Sequence, residues 1–173
     1  MSAIATFDPQ GRLLGLSSCT DQACAVAEAR GVRWGPQVKP ALLRRWLGVG
    51  SSEEMQRLVP RLPDVARREI VSEEAGGLLV HHGVVLVWLC APEGPAGLLL
   101  EAGDGLYLPA GVPHAVDASG PGPIEVRRFT AGGRGWFPRA TGQRLPAALP
   151  RAPALIERLL AELGEELLDG DTG

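Results

Sequence analysis

Apolar positions in this chain come mostly in short runs cut by turn formers. Leu78-Leu79-Val80, Val84 to Leu89, Gly97 to Leu100, Leu106 to Leu108 and Ile124 to Phe129 are β-prone stretches separated by Gly, Pro and Asp. Several short strands at such spacing predict a sandwich or barrel. The pattern before them is mixed. Ile4 to Phe7 reads as an edge strand, and Pro9-Gln10-Gly11 as the turn into Leu13-Leu14-Gly15-Leu16. Asp21 is placed to cap a short helix built on Ala23, Val26, Ala27 and Ala29, which Gly31 ends in a left-handed conformation. A second helix is expected over Pro40 to Leu47. A third is expected near Ser51-Ser52-Glu53-Glu54, where acidic residues suit the positive end of a helix dipole. After Gly142, Leu155, Ile156, Leu159, Leu160, Leu163, Leu167 and Leu168 fall at helical spacing behind Pro153, which predicts an amphipathic helix. That helix is expected to pack over an open barrel face, with homodimerisation as the other use of such a stripe.

Composition narrows the class. The 173 residues, 45% of them apolar, suffice for one sizeable core and fall short of two ordinary domains. A formal charge of −3 with 21% charged residues gives no broad positive field, so nucleic acid is not an expected partner. No apolar run reaches the roughly 18 to 20 residues of a membrane span, and the N-terminus, with Asp8 and Arg12 around a short apolar stretch, lacks the order of a secretory signal. A cytoplasmic protein with a small-molecule ligand is the expectation. Cys19, Cys24 and Cys90 are an odd set without C-x-x-C spacing and read as reduced, partly buried thiols.

One stretch carries chemistry. Gly103-Asp-Gly-Leu-Tyr-Leu-Pro109-Ala-Gly111-Val-Pro-His114 fits the pattern G-x5-P-x-G-x2-H at every defined position. Gly103 and Asp104 turn the chain into a strand, Pro109 ends its pairing, Gly111 allows a tight bend, and His114 is returned toward a barrel interior. There an imidazole nitrogen can serve a metal or a substrate. This pattern is the second signature of the cupins. Within that superfamily the phrase from Glu101 to His114, the strand Glu125-Val-Arg-Arg-Phe129, the stretch Gly135-Trp136-Phe-Pro-Arg-Ala-Thr-Gly142 and the upstream Glu28-Ala-Arg-Gly-Val-Arg-Trp34 resemble the acireductone dioxygenases. The likeness runs from about residue 1 to Gly142, implying a cupin domain over 1–142 and a helical extension over 143–173. It implies a mainly β fold, a cupin jelly-roll barrel, with short N-terminal helices and a C-terminal amphipathic helix. It also implies one iron or nickel ion held by three histidines and a glutamate, acting as a Lewis acid on an enediolate beside dioxygen.

The chain departs from that family where the metal should sit. The family's first motif, H-x-H-x3-E, falls on Glu69, Val71 and Ala75 when Leu78-Leu79-Val80 anchors the following strand, and Gly77 stands where the family has an arginine. Valine and alanine cannot ligate, so the first shell reduces to His114 and Glu69, too few donors to hold iron or nickel firmly. His81 and His82 are expected in a solvent-facing turn at the strand's far end, and Glu73 and Glu74 in an acidic turn or, with a shifted strand, in the pocket. Alternation puts one of Arg127 and Arg128 inward. Arg127 matches the family's arginine and is the expected carboxylate or phosphate clamp, unless it pairs structurally with Glu69 or Glu125. Tyr107 would add a phenol if it faces the pocket, and Trp136 reads as a packing anchor. The expected function is action on a small oxygenated metabolite, an enediol, keto acid or similar, with His114 and Glu69 as acid and base. The expected cofactor is none, or a divalent metal weakly held by those two residues. The alternative is a non-catalytic barrel that binds a small ligand or partners another enzyme.

Overall fold

The structure, a computed structural model, describes residues 2–48, 51–58, 69–72, 75–118, 122–131 and 139–170, with backbone alone for 69–72 and 163–170. Among the described residues twelve strands form two antiparallel sheets. The larger contains β1 (Ala3–Phe7), β2 (Leu13–Ser17), β5 (Glu69–Ser72), β7 (Val85–Leu89), β8 (Ala96–Leu100), β10 (His114–Asp117) and β12 (Arg139–Arg144), in the order β12-β5-β10-β7-β8-β1-β2. The smaller contains β3 (Arg33–Gly35), β4 (Ser52–Leu58), β6 (Gly76–His82), β9 (Gly105–Leu108) and β11 (Ile124–Thr130), in the order β3-β9-β6-β11-β4. The expected mainly β architecture is the one the chain adopts.

Period-two alternation explains why the sheets face each other. Val85, Val87 and Leu89 of β7 and Leu98 and Leu100 of β8 meet Leu78 and Val80 of β6, Leu106 and Leu108 of β9, and Ile124 and Val126 of β11 in one buried cluster. The alternate residues face outward. On the larger sheet these are Ala3, Ala5, Phe7, Leu86, Trp88, Leu99 and Ala115, an apolar surface that would be costly to leave in water. The C-terminal helix α3 (Ala152–Gly170) covers it with Ala152, Leu155 and Leu159, helped by Leu145 and Leu149. Asp117 anchors the start of that helix by accepting a hydrogen bond from the Ala152 amide at 3.0 Å. The helix therefore packs on the outer face of the larger sheet.

Two further helices flank the barrel. α1 (Thr20–Ala29) buries Ala23 and Ala27, and Gly31 follows it with φ +77°. Its N-cap is Cys19 rather than Asp21, which sits inside the first turn and meets the helix dipole there. α2 (Pro40–Leu47) has the expected bounds and packs Leu43 with Val38, Leu79 and Phe129 on the outer face of the smaller sheet.

Two further expectations are corrected. Residues 52–58 are not a helix: they form β4, paired along its length with β11 from Ser52 opposite Thr130 to Leu58 opposite Ile124. The acidic Glu53-Glu54 pair suits a helix start locally, but seven residues of β pairing to a buried strand outweigh a dipole contribution of about 0.3–1 kcal/mol. β1 is not an edge strand either, since it lies between β8 and β2, and β2 is the edge.

Candidate functional site

The order of strands brings the polar residues of the interior to one end. β9 stops at Leu108 and β10 starts at His114, so residues 109–113 cross the barrel's end. Gly111 in this crossing has φ +79°, a conformation open to glycine and strained for other residues. β5 ends and β6 begins at the same end. So do the last residue of β11, Thr130, and the first of β4, Ser52, because Thr130 pairs with both Gly76 and Ser52. The base of the motif is fixed separately. Asp104, 2% exposed, accepts a hydrogen bond from the Glu101 amide at 2.8 Å and another from the Ser2 hydroxyl, and burial pushes its carboxyl above the ordinary range.

His114 is 1% exposed and shares its parity with Val116, which packs in the interior cluster. Its cross-strand partners are Leu89 on β7 and Val71 on β5. Nδ1 lies 2.9 Å from the Val112 carbonyl oxygen. A carbonyl only accepts, so Nδ1 carries the proton in the neutral ring and Nε2 holds the lone pair. The loop that turns the chain thus also fixes the tautomer, in the manner of an outer-shell partner.

The smaller sheet supplies the rest. Ile124 and Val126 face the interior cluster, so Arg128 and Thr130 continue that face; they are 3% and 8% exposed. The Thr130 and Ser52 hydroxyls are hydrogen-bonded at 2.5 Å. Below this end the interior is filled by Leu78, Val80, Val87, Leu98 and Leu106. Among the described residues, the buried polar side chains that stand at this end are His114, Arg128 and Thr130, with the Ser52 hydroxyl beside them.

Arg127 and Tyr107, the residues singled out for substrate binding, stand elsewhere. Arg127 pairs across strands with Leu79, which packs under α2, and its Nη1 lies 3.8 Å from Glu53 on the outer surface. Parity decides this: the inward arginine is Arg128. Glu53 also accepts hydrogen bonds from Arg44, chiefly responsible for holding its carboxyl below the ordinary range. Tyr107 is turned out between Leu106 and Leu108 and packs edge-on against Trp46 of α2, with centroids 6.0 Å apart. His81 and His82 are exposed, as expected. Glu69 is placed by backbone: its strand sets Val71 opposite His114, with Glu69 two residues along and opposite Arg144. Glu73, Glu74 and Trp136 lie outside the described residues. Ser52, Thr130 and Arg128 were not singled out for the pocket from sequence, although counting by two from Ile124 reaches the last two.

A centre of three histidines and one glutamate does not fit this arrangement. His81 and His82 stand at the opposite end of β6 from Gly76, roughly 20 Å away at about 3.3 Å per residue. The position opposite His114 is a valine, and among the described residues no three His, Cys, Asp or Glu side chains converge. The thiols do not add a centre. Cys19, Cys24 and Cys90 are free, and burial pushes the Cys90 thiol up to about 11.

No family model and no curated protein matches the chain. Solved structures do. Acireductone dioxygenase from Bacillus anthracis, with a cadmium ion in its active centre, superposes with a TM-score of 0.60 at 11% identity, over 80% of this chain and 98% of the other. A variant of Bacillus subtilis oxalate decarboxylase covers 64% of this chain and 27% of its own, at 13% identity and a TM-score of 0.43, too distant to bear on the site. Among the described residues no helix is long and apolar enough to cross a membrane. Two facing antiparallel sheets, the motif carried by β9 and β10 and this superposition show a cupin-like fold similar to that of acireductone dioxygenase.

Proposed function

We propose that the chain acts on a small oxygenated metabolite, an enediol, keto acid or similar, by acid/base chemistry at the His114 end of the barrel. The observation that carries this reading is the buried imidazole whose Nδ1 is held on the Val112 carbonyl, which makes Nε2 the basic atom. A base fixed in one tautomer inside a barrel can abstract a proton next to a carbonyl and return it elsewhere, the core of enolisation and isomerisation. Glu69, on the strand beside His114, is the second group in this reading, the acid that returns the proton. Proton exchange in deuterated solvent across a panel of small keto acids and hydroxy ketones, followed by NMR, tests it. Exchange at the carbon next to the carbonyl is expected, about 100-fold slower or more in His114→Gln and unaffected by chelators. Exchange undiminished in that variant, or activity that tracks an equivalent of bound metal, overturns it. The non-catalytic alternative draws on Val71, a residue without donor atoms opposite His114. Binding without exchange anywhere in the panel supports that alternative.

A further inference from the structure

We infer that the chain pairs with a second copy of itself along β4, antiparallel and two-fold symmetric about Met55, so that the smaller sheets of two molecules join into one. The pairing does not depend on the chemistry proposed at His114. An edge strand offers unpaired backbone groups to another chain, and most edges are blunted against this. Among the described residues the edges of the two sheets are β12 and β2, and β3 and β4. β2 carries an extra residue, Leu14, where its register against Thr6 and Phe7 shifts, and such a bulge twists an edge away from pairing. The pairing of β12 with β5 is also irregular, and β3 has only three residues. β4 differs from all of them. Its seven residues keep one register with β11 from Ser52 to Leu58, without a bulge, a proline or a glycine.

The order of charges along β4 selects a second copy as the occupant. Glu53, Met55 and Arg57 share the outer face of the sheet with Arg127, which stands opposite Met55. A two-fold axis perpendicular to the sheet keeps outer face beside outer face, so one residue of the strand must lie opposite itself. About Met55, Glu53 of each copy stands opposite Arg57 of the other, Glu54 stands opposite Gln56, and the two methionines meet. Centring on Glu54 would set like charges against each other, and centring on Gln56 would set Arg57 against Met55. Opposite charges directly across a ladder stabilise it, and like charges oppose it. The charges that repel a foreign strand therefore accept the chain's own. The groups involved are open to solvent: Met55 is 53% exposed and the Arg57 side chain 71%. Arg57 already lies 3.3 Å from Glu125, and Glu53 accepts hydrogen bonds from Arg44, so the pairing extends two existing ion pairs into one row of alternating sign. One pair of strands buries a small area, which makes the dimer weak and reversible.

Sedimentation velocity of the full chain from about 5 µM to about 500 µM tests this. Monomer is expected at the low end and mostly dimer at the high end. Among the described residues the exposed large apolar side chains are Leu14 on β2, Met55 on β4 and Leu160 on α3, so lysine at each in turn reports which surface is used. Met55→Lys, which sets like charges opposite each other, is expected to weaken the dimer about ten-fold or more, and Leu14→Lys and Leu160→Lys less than about two-fold. Arg57→Glu is expected to match Met55→Lys, and decides the matter if Met55→Lys does not fold. An equimolar mixture of Met55→Lys and Met55→Glu chains is expected to associate where each alone does not, because the two charges then meet across the axis. A parent chain that stays monomeric throughout overturns the inference. So does assembly beyond a dimer, a dimer lost in Leu14→Lys or Leu160→Lys and kept in Met55→Lys, or a mixture of the two Met55 variants that stays monomeric.

Discussion

Arg127 and Arg128 are neighbours on one strand and have the same side chain, yet they inhabit different solvents. Arg127 is 28% exposed on the outer face, where it shares Glu53 with Arg44. Arg128 is 3% exposed among the interior residues. One step along a β-strand reverses the face, so a single register fixes which guanidinium is a surface charge and which is a buried one. The energetic consequences differ in kind. A surface ion pair in water contributes about 0–1 kcal/mol, while a buried charge ties stability to whatever satisfies it.

The sharpest way to break this contrast is the same substitution at both positions. Arg128→Ala is expected to cost about 3 kcal/mol or more, as loss of a buried charged group and its packing does, and Arg127→Ala to stay within about 1 kcal/mol. Urea unfolding of the two variants measures the difference, and equal losses would mean that the register does not set the environment. A smaller effect belongs to the hydroxyl pair. Thr130→Val keeps the shape and removes a hydrogen bond to Ser52, with an expected loss of about 1 kcal/mol; no loss would remove Thr130 from the organised end of the barrel. The smallest effect is on the outer face and depends on pH. Glu53 has a depressed carboxyl, through its hydrogen bond from Arg44 first and then the nearby charges of Arg44 and Arg127. Its contribution is present above the ordinary carboxylate value and is lost as pH falls through the lowered folded one. Unfolding curves between pH 6 and pH 3 should therefore show a slightly shallower acid loss for Glu53→Gln than for the parent chain, and identical slopes would contradict the pairing.

The two strands that surround the site were unequally legible. β9 and the turn to His114 could be read from Gly103, Pro109 and Gly111, because each acts through local backbone restriction. β11 was legible as a strand, and alternation said that one arginine points in, but family position favoured Arg127. Parity counted from Ile124 would have favoured Arg128, had it been known that Ile124 faces the interior. β4 was not legible, since Ser52-Glu53-Glu54 has the local chemistry of a helix start and becomes a strand through its partner β11.

The sequence by itself determined the run of short strands, the bounds of α2, the amphipathic C-terminal helix and the placement of a histidine after a glycine-rich turn. These rest on periodicity and on the few residues that restrict a backbone, which act over neighbouring positions. Only the tertiary structure decided that Tyr107 lies under α2, that Arg128 and not Arg127 enters the barrel, and that Ser52 and Thr130 meet at its mouth. Those outcomes depend on which face of a strand is covered and on pairing between residues far apart in the chain. A one-residue shift in register would exchange the inward and outward sets.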